Sequence, residues 1–155
     1  MFKELILSHI SSGKKFVIIT GGGKVSRKYQ NALKDISKLS NDDIDWLGIY
    51  ATRLNAEFVK ILFGNQAEDN IILDPTLPVE LKKSIIVGGG WKPGWSTDYD
   101  AVLLAKQLGA KKIINLSNAD HVYDSDPRTN PNAKKIEKIS WADYRAIIPK
   151  EWSPG

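Results

Sequence analysis

Two stretches of this chain set glycines directly after an apolar run, an arrangement that can hold a phosphate. The first is Thr20-Gly21-Gly22-Gly23-Lys24, which follows Phe16-Val17-Ile18-Ile19. Glycines let a ligand approach the backbone closely. The opening N–H groups of a helix that starts there have no internal partner, so they face any anion in the turn. The spacing is not G-x-G-x-x-G, and Val25 stands where a P-loop requires Ser or Thr. A phosphate site is one reading, and a ligand-free strand-to-helix turn is the other. The second stretch is Gly88-Gly89-Gly90, after Ser84-Ile85-Ile86-Val87, and it continues as Trp91-Lys92-Pro93-Gly94-Trp95-Ser96-Thr97-Asp98. Thr97 followed by Asp100 loosely resembles a capping box, so Thr97 has a plain structural use as a helix cap.

Two further sets of polar residues could take a sugar or a base. Asp45, Gly48, Thr52 and Asn55 fall on one stripe of a helix at 100° per residue, offering a carboxylate, a hydroxyl, an amide and a point of close approach. The alternative is an exposed helical flank. Ser117-Asn118-Ala119-Asp120-His121-Val122-Tyr123-Asp124-Ser125-Asp126-Pro127 follows Lys112-Ile113-Ile114-Asn115-Leu116. Its short polar side chains supply donors and acceptors, and Tyr123 supplies a ring to stack. The same residues also suit a self-bonded turn ending in proline.

Elements that would position these groups are legible from periodicity. Phe2, Leu5, Ile6 and Ile10 share a helical face ending before Gly13. Phe16–Ile19, Ile71–Leu73, Ser84–Val87 and Lys112–Leu116 read as buried parallel strands. Val25, Tyr29, Ala32, Leu33, Ile36 and Leu39 recur at helical spacing over about four turns. Ser40-Asn41-Asp42-Asp43 breaks the pattern with capping residues, and from about Asp45 to Phe63 a second helix carries Leu47, Tyr50, Ala51, Leu54, Phe58, Ile61 and Leu62 on its apolar side. Val102, Leu103, Leu104 and Leu108 mark a helix stopping at Gly109, and Ser140 opens a last one with Trp141, Tyr144, Ile147 and Ile148. Alternating strands and helices predict an open, mostly parallel α/β sheet with helices on both faces, and three of the loops would share its carboxyl edge.

Composition bounds the function. A chain of 155 residues, 42% hydrophobic, is expected to form a single domain over 1–155. No apolar run reaches the roughly 18 residues of a membrane helix, and Met1-Phe2-Lys3-Glu4 begins no signal peptide. The absence of cysteine excludes disulfides and thiolate metal sites and fits a cytoplasmic protein. His9 and His121 are isolated, which argues against a histidine metal site. Net charge is +4, but Lys14-Lys15, Lys82-Lys83 and Lys111-Lys112 each precede an apolar run. They would sit at the edge opposite the ligand loops, a solvated rim rather than a nucleic-acid groove.

In this order the loops resemble the amino-acid kinase superfamily, and within it the uridylate kinases of the archaeal type. The resemblance rests on Thr20-Gly21-Gly22-Gly23-Lys24 with Arg27; Asp45 with Leu47-Gly48-Ile49 and Ala51-Thr52-Arg53-Leu54-Asn55-Ala56; Gly88-Gly89 with Pro93 and Thr97-Asp98; and Ser117-Asn118-Ala119-Asp120 with Val122-Tyr123 and Asp126-Pro127. These motifs cover nearly the whole chain. They imply transfer of the γ-phosphoryl group of ATP, with Mg²⁺, to UMP, a step of pyrimidine nucleotide biosynthesis. Carried across by position, Gly22, Asp45 and the run Gly90, Trp91, Lys92, Pro93, Gly94, Trp95, Ser96 and Thr97 correspond to UMP contacts. Gly23, Arg27, Ser117, Asn118, Tyr123 and Asp126 correspond to ATP contacts. No side chain is singled out as catalytic and no protein metal ligand is expected, because phosphoryl transfer depends on positioning and charge neutralisation. A ring-like homo-oligomer, commonly a hexamer, is also implied.

The chain departs from the family at several points. The family opens with a strand bearing a glycine pair and a phosphate-binding lysine, and Met1 falls after it; the family also continues beyond Pro154-Gly155. The chain is thus expected to be incomplete at both ends. His121 replaces a usual glycine, and Gly90 with Trp91 alters the acceptor loop. Lys24, Lys28 and Lys92 are the lysines near enough in sequence to stand in for the absent one. Two other functions stay open: a nucleotide-binding or assembly module without catalysis, and a sibling kinase with another phosphate or carboxylate acceptor.

Overall fold

The structure, a computed structural model, describes residues 1–36, 39–116 and 120–148, the side chain of Asp35 excepted. These form two compact units, Met1–Ile113 and, within Ile114–Ser153, residues 114–116 and 120–148. In chain order the first unit holds α1 (Phe2–Ile10), β1 (Phe16–Ile19), α2 (Gly23–Ile36), α3 (Asn41–Phe63), a short 3-10 turn (Gly64–Gln66), β2 (Ile85–Gly88) and α4 (Thr97–Gln107).

β1 and β2 pair in parallel, Phe16 opposite Ile85 through Ile19 opposite Gly88. Side chains alternate across the pleat, so each strand supplies both faces. One face gathers Phe16, Ile18, Ile85 and Val87 against Ile6 of α1 and Ala56 and Phe63 of α3. The other gathers Val17, Ile19 and Ile86 against Leu104 of α4, with Val79 and Leu81 beside them. Helices therefore cover both faces of a parallel sheet, as the alternation of elements predicts. Ile85, Val87 and Leu104 are almost wholly buried, each stabilising the fold by roughly 1.5–3 kcal/mol.

Several elements differ from expectation. β1 is only half-buried, while every residue of β2 is buried: among the described residues β1 has β2 alone beside it, whereas β2 is also flanked by the backbone at Ala67 and Ile72. The strand expected at Ile71–Leu73 shrinks to one parallel bridge, Ile72 with Gly88, and a second bridge joins Ala67 to Ile85. The run Lys112–Leu116 forms no strand. Ile113, Ile114 and Leu116 are 50%, 71% and 75% exposed, and no described strand offers the neighbouring backbone that a ladder needs.

The long helix starts earlier than its apolar pattern suggests, at Asn41, because Ser40 caps it by accepting from the Asp43 N–H. Its apolar side is only partly turned inward: Ala51 is buried and Leu62 packs on the core, whereas Tyr50, Leu54, Phe58 and Ile61 are 59–73% exposed, and Gly48 and Thr52 of the polar stripe are buried. On α2, likewise, Ser26 is buried and Val25, Tyr29 and Ile36 are exposed. Small and hydrogen-bonding side chains let the two helices approach closely: a Cβ on Gly48 would lie 2.6 Å from the Gln30 amide nitrogen and 3.2 Å from Ser26 Oγ.

In the second unit β3 (Val122–Tyr123) pairs antiparallel with β4 (Lys135–Ile136), and α5 (Trp141–Ile147) follows. Ser140 caps α5 by accepting from the Asp143 N–H, as its sequence position predicts.

Candidate functional site

Both glycine turns sit at the carboxyl ends of β1 and β2, side by side because the strands are parallel neighbours. A Cβ on Gly21 would come 3.9 Å from Thr97 Oγ1, so the first turn meets the start of α4. The polar stripe of α3 ties the two turns together. Asn55 Nδ2 donates to the Gly21 carbonyl at 2.7 Å. Thr20 Oγ1 donates to the carbonyls of Thr52 and Gly88, and Thr52 Oγ1 accepts from the Gly90 N–H at 2.6 Å while donating to the Ile49 carbonyl. Asp45 Oδ2 accepts from the Gly94 N–H at 3.0 Å. The Asp45–Asn55 stripe is therefore a scaffold for two loops and not a solvated flank.

The first turn is packed without side chains of its own. A Cβ on Gly22 would overlap Ser26 Cβ at 2.4 Å, so α2 can start there only on glycine. Arg27, one residue beyond Ser26, is exposed and has no ion pair among the described residues. Lys24 and Lys28 are exposed beside it.

The second turn lies against α3, where a Cβ on Gly89 would sit 3.0 Å from Arg53 Cα. Arg53 donates from Nε to the Gly90 carbonyl at 3.2 Å and from its terminal nitrogen to the Trp91 carbonyl at 2.9 Å. The Trp91 N–H donates to Asp100 Oδ2 at 3.2 Å. The Asp74 carboxyl is held below the usual range chiefly by the Thr76 hydroxyl and N–H, which both donate to its Oδ1. Lys92 Nζ lies 3.9 Å from the centre of the Trp91 ring and 5.2 Å from that of Trp95, and Trp95 packs on Tyr99 at 4.7 Å between centroids. Asp100 is 1% exposed and its Oδ1 has no hydrogen-bond partner among the described residues. Burial, opposed by the Trp91 N–H and reinforced by the nearby Asp74 charge, pushes its carboxyl up to about 6.

Gly22, Gly23, Arg27, Asp45 and the run Gly90–Thr97 thus belong to one unit, with Gly94 hydrogen-bonded to Asp45 and Gly21 beside Thr97. Ser96, and not Thr97, caps α4 by accepting from the Tyr99 N–H, which leaves Asp100 to turn inward. Tyr123 and Asp126 lie in the second unit. Tyr123 pairs with Lys135 across the ladder, and Asp126 receives the Arg128 guanidinium, which holds its carboxyl below the usual range. That is the self-bonded turn which the sequence left open. Ser117 and Asn118 fall outside the described residues. Among the described residues no group of three or more His, Cys, Asp or Glu is arranged to hold a metal ion.

From sequence, Asp100 has only a place in a loose capping box with Thr97 and Arg53 only a place in a family motif, and Asp74, Ser26 and Gln30 have no role. Arg53 lies one residue off the polar stripe, and Asp100 has the spacing of an ordinary first-turn helix acid. Only their distance in space from Trp91 distinguishes them.

Two glycine turns at the carboxyl edge of a parallel sheet, bridged by one helix, define an α/β fold of the kind that binds phosphate-bearing ligands. Residues 2–155 match the model of the amino acid kinase family, and the chain belongs to that family. It is 39% identical over 145 residues to a uridylate kinase of Pyrobaculum calidifontis, covering 92% of this chain and 66% of that protein. It is 40% identical over 150 residues to a uridylate kinase of Thermococcus kodakarensis, covering 95% and 66%. The crystal structure of uridylate kinase from Archaeoglobus fulgidus superposes with a TM-score of 0.74 at 32% identity, covering 86% of this chain and 63% of that one. The chain therefore spans about two thirds of the length of these relatives, with the same fold in incomplete form. No described helix is long and apolar enough to cross a membrane.

Proposed function

We propose that this chain carries the acceptor and donor loops of a UMP kinase, transferring the γ-phosphoryl group of ATP to UMP. The observation that supports this most is the α3 stripe, which joins the Gly21–Gly23 turn to the Gly90–Ser96 loop through Asn55, Thr52 and Asp45. Two phosphate-bearing ligands held by these loops would meet near the start of α2. In the transfer, the bond from the γ-phosphorus to its bridging oxygen breaks and one forms to a UMP phosphate oxygen, leaving ADP and UDP. Gly22, Asp45 and Gly90–Thr97 would face UMP. Gly23 and Arg27 would face ATP, as would Ser117, Asn118, Tyr123 and Asp126, within one kinase-like domain over 1–155.

Arg27 is suited to a phosphate because its guanidinium has no carboxylate among the described residues to neutralise it. A Mg²⁺ ion would accompany the nucleotide phosphates, a role that needs no carboxylate cluster from the protein. When bound it would neutralise charge on the transferring group. A homo-oligomer, hexameric by family resemblance, is part of the same proposal. The exposed apolar face of α3 at Tyr50, Leu54, Phe58 and Ile61 supports self-association.

A coupled assay with UMP and MgATP tests the activity: UDP formation above a no-enzyme control is expected, and its absence would remove the enzymatic claim for this chain. Calorimetry with each nucleotide separates the outcomes, because binding without turnover would leave a nucleotide-binding module.

A further inference from the structure

We infer that Arg53 and Asp100 are positioning residues for the acceptor: together they grip the backbone of Trp91 from opposite sides and so set the shape of the Gly90–Ser96 loop before any ligand arrives. This rests on the acceptor reading of that loop and adds to it two residues outside the loop. Arg53 takes the carbonyls of Gly90 and Trp91 at 3.2 and 2.9 Å, and Asp100 takes the Trp91 N–H at 3.2 Å. A cation on the carbonyl side and a carboxylate on the N–H side fix one orientation of the Trp91 peptides, since flipping either would set like partial charges against each other.

The geometry around Arg53 is unusual for a surface arginine. Its guanidinium carbon lies 5.7 Å from the centre of the Trp46 ring and 5.9 Å from that of Tyr50, and it has no carboxylate partner among the described residues. Aromatic faces and two carbonyls therefore hold the charge in place, and a lysine, with a single ammonium in place of the fork, could not span both carbonyls. Asp100 comes from a different element, the first turn of α4, and is nine-tenths buried or more. The loop is thus pinned between α3 and α4. Thr52 and Asp45 hold Gly90 and Gly94 in the same way, so the N–H groups of Gly90, Trp91 and Gly94 are already engaged by protein. The loop recognises its ligand by held shape and by its remaining groups. Misplacing a bound substrate by about 1 Å can lower a rate roughly 100-fold, so preorganisation here bears directly on the acceptor.

The experiment compares the whole chain with R53A, R53K, D100A and D100N by calorimetry with UMP and with MgATP, and by hydrogen exchange of residues 90–96 without nucleotide. R53A and D100A are expected to weaken UMP about 10- to 100-fold, to leave MgATP within about twofold and to speed exchange in the loop. R53K is expected to fall with R53A. D100N keeps an acceptor for the Trp91 N–H and is expected to restore UMP binding to near that of the unaltered chain. Equal weakening toward both nucleotides, or lysine rescue of Arg53, would mean a merely structural role and overturn the inference. Unaltered UMP binding in R53A and D100A would overturn it too while leaving the acceptor reading intact. Failure of the unaltered chain to bind UMP would remove that reading and this inference with it. Should R53A or D100A not fold, R53K and D100N decide between the same outcomes.

Discussion

The two glycine turns of the first unit share a sheet edge and a supporting helix but are built in opposite ways. The turn after β1 is held by backbone packing and by one amide, Asn55, and leads into a helix start where Arg27 stands exposed. The loop after β2 is gripped by Thr52, Arg53, Asp45 and Asp100. The first leaves the Arg27 charge exposed, and the second has the N–H groups of Gly90, Trp91 and Gly94 and the carbonyls of Gly90 and Trp91 already engaged. Phosphate capture suits the first arrangement, and recognition by shape suits the second.

The contrast can be broken hardest at Gly89. In Gly89→Val the Cβ would press on Arg53 Cα at 3.0 Å and on the Arg53 nitrogen at 3.1 Å. Overpacking of this kind costs about 1–3 kcal/mol and would lift the loop off α3. UMP affinity is expected to fall about 100-fold, read by calorimetry with the urea midpoint measured alongside. Arg27→Ala attacks the other turn without touching packing. MgATP affinity should fall on the order of 10-fold or more, UMP binding should change little, and the urea midpoint should stay where it was.

Asp100 sharpens the comparison through pH. Its carboxyl is raised from 3.8 to about 6 in the fold, so the native state holds that proton more tightly than the unfolded chain. Stability contributed at this position is therefore greatest below about pH 4, declines as pH rises toward about 6, and stays low above about 7. D100N removes the titration. Its stability relative to the unaltered chain should rise between pH 4 and pH 7 by on the order of 1–2 kcal/mol, measured as urea midpoints across that range. A constant gap would show that the loop does not enclose a buried carboxylate.

The smallest effect lies at the end of the same loop. Ser96→Ala should cost about 1 kcal/mol by removing the cap of α4, while Thr97→Ala should cost well under half of that. Thermal melts of the two variants measure the difference.

The strand-turn-helix units around Gly21–Gly23 and Gly88–Gly90 were legible because an apolar run followed by glycines has few other physical solutions. Ser40 and Ser140 were legible as caps for the same reason: local hydrogen bonding decides them. The faces of α2 and α3 were not. Apolar periodicity assigned Tyr50, Leu54 and Phe58 to the interior, yet the close crossing of these helices requires Gly48, Ser26 and Gln30 there. Periodicity identifies a stripe but not what it packs against. The run Lys112–Leu116 fails likewise, since an apolar run becomes a strand only where another backbone completes its hydrogen bonds.

The chain alone therefore determined the family, through the order and residue types of its motifs, together with the α/β alternation that places the two glycine turns at one edge. Only the tertiary structure decided which groups in those loops remain available to a ligand. Arg53 and Asp100 stand 47 positions apart, and no local pattern links them. They act on one residue, Trp91, because α3 and α4 pack on opposite faces of the same two strands and leave the loop after β2 between them.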